Sequence, residues 1–301
     1  MVERVNKLLT ILFSYPFKPV LTWGTVLLVG AMMPAVVGAQ TLTVTHIRPA
    51  SETDTRNQYF IRLLDLVLSK TDGPYRLEAS PLTMQQGRAL AQLKKNDGLD
   101  IVWTMTSQSR EQELLPIRIP LLKGMIGTRL LLINQDDQHR FERITSEAQL
   151  KALRAGQGHD WPDTEVLKSN GYTVSGSTSY DALFRMLARG RIDYFPRSIA
   201  EIWAEAEQHA DKGLTVEKSF VIYYPAAIYF FVNKDHHVLA RRIEEGLRKA
   251  IADGSFDALF YERFNAIIER ARLQERRWFR LENPLLSPET PLDQPALWYQ
   301  P

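Results

Sequence analysis

The chain has 301 residues, 45% of them hydrophobic and 24% charged, with no Cys. That composition excludes disorder or low complexity over most of the length. A formal net charge of +2 excludes a nucleic-acid binder that works by bulk electrostatics, and the missing Cys removes disulfides, thiolate metal sites, Cys nucleophiles and the acylated Cys of a lipoprotein.

Residues 1–19 carry Arg4, Lys7 and Lys18 against Glu3. An uncharged run follows from Val20 and ends Val37-Gly38-Ala39, before Gln40. A basic start, an apolar stretch and a small-residue exit predict a secretory signal over 1–39. The competing reading is an uncleaved anchor, since about 20 apolar residues span a bilayer. Gly24, Gly30, Pro34 and Gly38 make that a poor permanent helix. The expected location is the periplasm, outside the cytoplasmic membrane.

After the signal, "TLTVTHIRP" alternates, is rich in β-branched residues and predicts a strand that stops at Pro49. "QYFIRLLDLVLSKT" places Phe60, Leu63, Leu64, Val67 and Leu68 at helical spacing. Asp72-Gly73 is a turn, "YRLEASPL" a second strand, and "MQQGRALAQLKKNDG" a second helix closed by Asn96-Asp97-Gly98. "LDIVWTMT" reads as a buried strand. This β-α-β-α-β order predicts a parallel sheet with crossover helices. Ligands of such sheets sit beyond the carboxyl ends of the strands, here Pro49–Asn57 and Trp103–Arg110.

Arg129–Asn134 predicts a long strand leaving this unit. A second α/β unit follows. "FERITSEAQLKALRAG" predicts a helix with Ser146 as a cap, and "QGHDWPDTEVLKSNG" a loop and a helix. "YTVSGS" predicts a strand, "SYDALFRMLARG" a helix stopped by Gly190, and "RIDYFP" a strand stopped by Pro196. "SIAEIWAEAEQHADKG" predicts a helix solvated on one face. "LTVEKSFVIYYPAAIYFFVNKD" holds two strand runs broken at Pro225, and two helices flank Asp253-Gly254. The tail from Asn283 has five prolines in nineteen residues, so it is expected to lack regular structure and to lie along the surface.

Catalytic spacings are missing. There is no phosphate-binding loop, no His-Glu-x-x-His and no Gly-x-Ser-x-Gly. His236-His237 are adjacent and poorly placed to chelate one ion from a helix. His159 and Asp160 form a conceivable acid–base pair, but no nucleophile motif stands near them. No catalytic residue, metal or cofactor is expected. What remains is polar and aromatic residues at strand ends. "WTMTSQSR" puts Trp103, Thr104 and Thr106 beside Arg110. Hydroxyls with a guanidinium suit a carboxylate or another anion. The same spacing also fits threonines that cap a helix and an Arg110 paired with Glu111 or Glu113 on the surface. Trp161 fits an aromatic wall or a core anchor. Arg129 fits a ligand contact or an ordinary interlobe salt bridge, and Tyr59 and Tyr224 follow loops that should face the cleft.

The element order, with "DIVWTMTSQSREQELLPIRIPL", "ALFRMLARGRIDYFPR", "YYPAAIYFFVNKD" and "GLRKAIADGSFDALF", resembles the type 2 periplasmic solute-binding proteins. The nearest group is that related to the extracellular family 3 amino-acid binders. The resemblance covers nearly all of residues 41–275. It implies an α/β, two-lobed type 2 periplasmic-binding-protein fold. Each lobe is a mostly parallel sheet flanked by helices, with two crossing strands as hinge. Lobe one takes 40–130 and 222–275, lobe two takes 131–221, and 276–301 is the tail.

The resemblance also implies a monomer that clamps a small ligand between its lobes, with the closed form read by an ABC permease or a membrane sensor. Thr104, Thr106 and Arg110 match the place where relatives hold a ligand carboxylate. Relatives usually offer an acid for the α-amine at the end of a lobe-two strand. Here "YFPRS" puts Arg197 beside that place, which implies an anionic or otherwise unusual amino-acid-like ligand, unless Asp160 or Glu201 supplies the acid. The competing functions are a sensory or accessory binding protein without transport, and an enzyme on the same fold. The enzyme would need an isolated Glu or Lys poised in the cleft, and none stands out.

Overall fold

The computed structural model describes residues 41–48 and 57–300. The expected export segment, 1–39, and the loop 49–56 after the first strand lie outside the described residues. The chain then runs β1 (Leu42–His46), α1 (Gln58–Ser69), β2 (Tyr75–Ala79), α2 (Gln86–Lys94), β3 (Val102–Met105), α3 (Gln108–Glu113) and β4 (Leu115–Ile117). β1 and β2 pair in parallel, and a bridge from His46 to Ile101 links them to the segment entering β3. The apolar stripe read in α1 is its buried face: Phe60, Leu63, Leu64, Val67 and Leu68 all pack inward, with Tyr59 beside them. Burying each such side chain contributes about 1.5–3 kcal/mol.

β5 (Thr128–Asn134) opens the second sheet, followed by α4 (Gln138–Glu142), α5 (Glu147–Lys151), β6 (Arg154–Gly158), α6 (Pro162–Ser169), β7 (Thr173–Ser177), α7 (Tyr180–Ala188), β8 (Tyr194–Ser198), α8 (Ile202–Gln208), β9 (Leu214–Val216) and β10 (Phe220–Tyr223). The helix expected over "FERITSEAQLKALRAG" is two helices and the start of a strand. Ser146 is extended and forms a capping box with Gln149, which starts α5 afresh instead of continuing α4. The expected stop at Pro196 does not occur: β8 runs through it to Ser198. Ile199 N–H donates to the Thr128 carbonyl, so alternation leaves Pro196, opposite Leu131, at a non-hydrogen-bonded position toward β5. Its missing N–H is not needed there.

The chain returns through β11 (Ile228–Val232), α9 (His237–Ala252) and α10 (Ser255–Ala271). β11 inserts antiparallel between β3 and β4, completing the first sheet. The second sheet has the order β12-β10-β5-β8-β6-β7, with β9 also on β5, where β12 is Arg277–Arg280. The seven-stranded sheet is mixed, whereas β1–β2 is parallel and β3-β11-β4, joined to it by the His46–Ile101 bridge, is antiparallel.

The tail is more regular than its prolines suggest, because they begin only after β12. β12 adds in parallel to β10 and stacks Phe279 on Phe220 at 5.4 Å. The rest is a strap. Asn170 at the end of α6 exchanges two hydrogen bonds with the Glu282 backbone. Farther on, Gln108 N–H donates to the Leu285 carbonyl, Arg118 pairs with Glu289 at 2.9 Å, and Tyr299 N–H donates to the Lys123 carbonyl. The strap therefore holds elements of both sheets.

The crossing strands β5 and β10 meet through Arg129–Ile222 and Thr128–Tyr223. Just before β5, a Cβ on Gly127 would stand 2.0 Å from the Tyr224 carbonyl oxygen. Only glycine allows that approach. Gly127→Ala should therefore cost about 1–3 kcal/mol by overpacking the crossing. Urea unfolding measures it, and an unchanged midpoint would show that the strands part there without cost.

Candidate ligand-binding site

β3 ends in Thr104-Met105, and Ser107 caps the short α3 by accepting from Arg110 N–H. That turn sends the Arg110 side chain back over the strand end. Its Nη1 donates to Thr104 Oγ1 at 2.8 Å and to the Met105 carbonyl at 2.7 Å, and its Nη2 donates to Gln86 Oε1 at 2.8 Å. Neither Glu111 nor Glu113 takes it: Glu111 binds Arg118 and Glu113 binds Lys94. Across the boundary between the sheets, Nη2 lies 3.5 Å from the Asp160 carbonyl. A Cβ on Gly87 would be 3.0 Å from Asp160 Oδ2, so the two sides touch here. Burial lowers the Arg110 pKa to about 10, with Asp163 and Asp160 opposing the fall. The guanidinium stays charged at neutral pH.

Behind it lies a chain of alternating charge. Arg129 on β5 is 2% exposed. Its Nη2 is bound to Asp163 in the first turn of α6, and its Nε donates to the Tyr224 hydroxyl at 3.0 Å. Tyr224 in turn donates to Asp163. Burial opposes the Arg129 charge, but Asp163, Tyr224 and Glu201 outweigh it and hold its pKa above the ordinary value. Burial is also what chiefly drives the Tyr224 hydroxyl well upward, so it remains a donor.

Arg197 is 4% exposed, and it too is neutralised. Its Nε and Nη2 donate to the two Glu205 oxygens at 2.7 and 2.6 Å, and Glu201 lies 3.0 Å from Nη2. Tyr180 donates to Glu205 at 2.5 Å. The rings of Trp161, Phe195 and Tyr180 surround the guanidinium at 5.0, 4.9 and 5.7 Å. Burial again opposes the charge, and Glu201 and Glu205 more than offset it.

The residues singled out from the sequence thus divide. Thr104, Arg110 and Asp160 meet at the boundary, and Arg129 lies behind them through Asp163. Trp161 walls the Arg197 box and rests on the Gly158 backbone, where a Cβ would lie 2.4 Å from its ring. Three expected contacts belong to the first core instead. The Tyr59 hydroxyl donates to the Leu121 carbonyl while its ring packs on Phe264. Trp103 stacks on Phe60 at 5.5 Å and donates to Asn57. Thr106 is fully buried and donates to Glu111. The expectation that Arg197 adds an unbalanced positive charge is overturned by its bidentate bond to Glu205.

Gln86, Asp163 and Glu205 were not singled out. Glu205 had a signal: it shares a helix stripe with Ile202 and His209, and all three are buried. A carboxylate on an apolar stripe needs a cationic partner. Removing that partner's counter-charge should be costly. Glu205→Ala should destabilise the fold by about 3–5 kcal/mol, and the double change Arg197→Met/Glu205→Leu should recover most of it. Chemical denaturation reads both. A loss below about 1 kcal/mol in the single variant would show that Glu201 alone balances Arg197.

No protein-family model matches the sequence, and no curated protein does. Solved structures do. An ancestral arginine-binding protein bound to arginine matches with a TM-score of 0.56 at 17% identity, over 74% of this chain and 98% of that one. A Salmonella typhimurium periplasmic binding protein of high arginine specificity matches at 0.56 and 17%, over 75% and 100%. A putative L-cystine ABC transporter from Listeria monocytogenes matches at 0.54 and 20%, over 76% and 97%. Together with the two sheets and their crossing strands, these likenesses give the chain the two-lobed fold of the type 2 periplasmic binding proteins.

Proposed function

We propose that the chain is a periplasmic solute-binding protein that captures a small amino-acid-like ligand between its lobes for ABC-type import. The neighbours named above bind arginine or belong to a cystine transporter, which supports that class of ligand. In this reading 1–39 is the export signal, 40–130 and 222–275 form lobe one, 131–221 forms lobe two, and the protein performs no catalysis. Among the described residues no helix is long and apolar enough to cross a membrane.

One observation carries the reading. Arg110 sits at the lobe boundary, and among the described residues no carboxylate touches it. Its Nη1 hydrogens are committed to Thr104 and Met105 and one Nη2 hydrogen to Gln86, while Nε has no partner there and the second Nη2 hydrogen has only a 3.5 Å approach to the Asp160 carbonyl, which a ligand can displace. The Nε–Nη2 edge is therefore the edge presented to a ligand carboxylate. The surrounding charge favours a zwitterion over an anion. Arg110, Arg129 and Arg197 are matched by Asp163, Glu201 and Glu205, and Asp160 adds a further acid at the rim. Glu201 Oε2 is buried, ion-paired with Arg197 Nη2 at 3.0 Å, and takes no well-directed hydrogen bond.

Calorimetric titration with single amino acids and with dicarboxylates tests this. At least one zwitterionic or cationic amino acid should bind, and Arg110→Gln should weaken it about tenfold or more. Binding confined to dicarboxylates would refute the charge argument. An Arg110→Gln protein that binds as tightly as the wild type would remove Arg110 from the site.

A further inference from the structure

The strap covers the crossing strands on the face opposite the charge cluster. Neighbouring residues of a strand point to opposite faces. Arg129 and Tyr224 turn to Asp163, and the preceding residues, Thr128 and Tyr223, turn the other way. There they line a cavity of about 420 Å³, together with Trp278 of β12 and Trp298 and Tyr299 of the strap. Trp298 is fixed by its indole N–H donating to the Pro291 carbonyl at 2.7 Å and by contact with the Gly124 backbone.

Two cations also line this cavity, and they differ. Lys123 is paired with Asp257 at 2.7 Å. Arg280 has no carboxylate partner among the described residues. Its guanidinium lies 4.8 Å from the Trp278 ring and 5.3 Å from the Tyr223 ring. The result is an aromatic-walled space with one uncompensated positive charge. Its volume falls in the range of small-molecule sites, roughly 300–1,000 Å³.

We propose that this cavity is a second ligand site, distinct from the lobe boundary, for a small aromatic carboxylate. The flat ring packs against the aromatic lining, and the carboxylate takes the Arg280 fork. The proposal stands independently of the solute proposed for the lobe boundary.

Calorimetry with benzoate as the probe tests it on the purified protein. Benzoate should bind. Benzamide, which lacks the charge, should bind about tenfold more weakly or worse. Cyclohexanecarboxylate, which lacks the aromatic face, should bind about threefold more weakly or worse. Arg280 is exposed, so Arg280→Gln should keep the wild-type melting temperature and weaken benzoate about tenfold. Arg110→Gln should leave benzoate binding unchanged. The proposal fails if benzoate does not bind at millimolar concentration or if Arg280→Gln binds it as the wild type does. It also fails if Arg110→Gln abolishes binding, which would put the probe at the lobe boundary.

Discussion

Two guanidinium groups, Arg129 and Arg197, are taken out of water where β5 and β8 meet α6 and α8. Removing an ion from water costs several kcal/mol, and only close, well-directed counter-charges offset it. That requirement organises its surroundings. Asp163 must come from the first turn of α6, which Pro162 starts and which Thr164 ties down by donating to the Gly158 carbonyl. Glu205 must come from the inner face of the first turn of α8, eight residues beyond Arg197. Tyr224 must follow β10 closely enough to reach both Arg129 and Asp163. Moving any of these elements would strand a buried charge.

The strap adds a second constraint on the same strands. β12 widens the crossing from two strands to three, in register with β10. Its continuation bonds to α6 on one side and to Gln108, Arg118 and Lys123 on the other. A rotation of one sheet against the other must either carry the strap along or release one set of these bonds. Single hydrogen bonds contribute about 0.5–1.5 kcal/mol each, and the exposed Arg118–Glu289 pair less. The set is therefore a modest restraint.

Periodicity made most of the fold readable. α1, α2, α7, α9 and α10 stand where apolar spacing put them, because each buries the stripe that announced it. What was not readable depended on a partner distant in sequence. Pro196 looked like a strand end, and only the β5 register shows that its missing N–H faces no acceptor there. Arg197 looked like a ligand contact, because its neutralising acid lies eight residues on in a helix read as solvated. Tyr59 was read as following a loop and Trp103 as standing where a strand opens, but the side of the chain they face was decided by Phe60, Phe264 and Phe230.

The pairing of Arg197 changes what the cleft can select. An unpaired Arg197 guanidinium would have added a second positive charge to the site proposed around Arg110. With Glu205 and Glu201 beside it, Arg197 becomes internal structure, and the aromatic rings around it exclude competing water. Arg110 is then the guanidinium of the three that no carboxylate contacts among the described residues, with Nε unpartnered there. It is already oriented by Thr104, Met105 and Gln86, so in the proposed site little rotamer entropy would be lost on binding. A pre-oriented fork with acids nearby discriminates by geometry and by charge pattern together. A carboxylate alone meets the fork but also the field of Asp160 and Asp163. A carboxylate that carries its own amine brings the charge which that field favours.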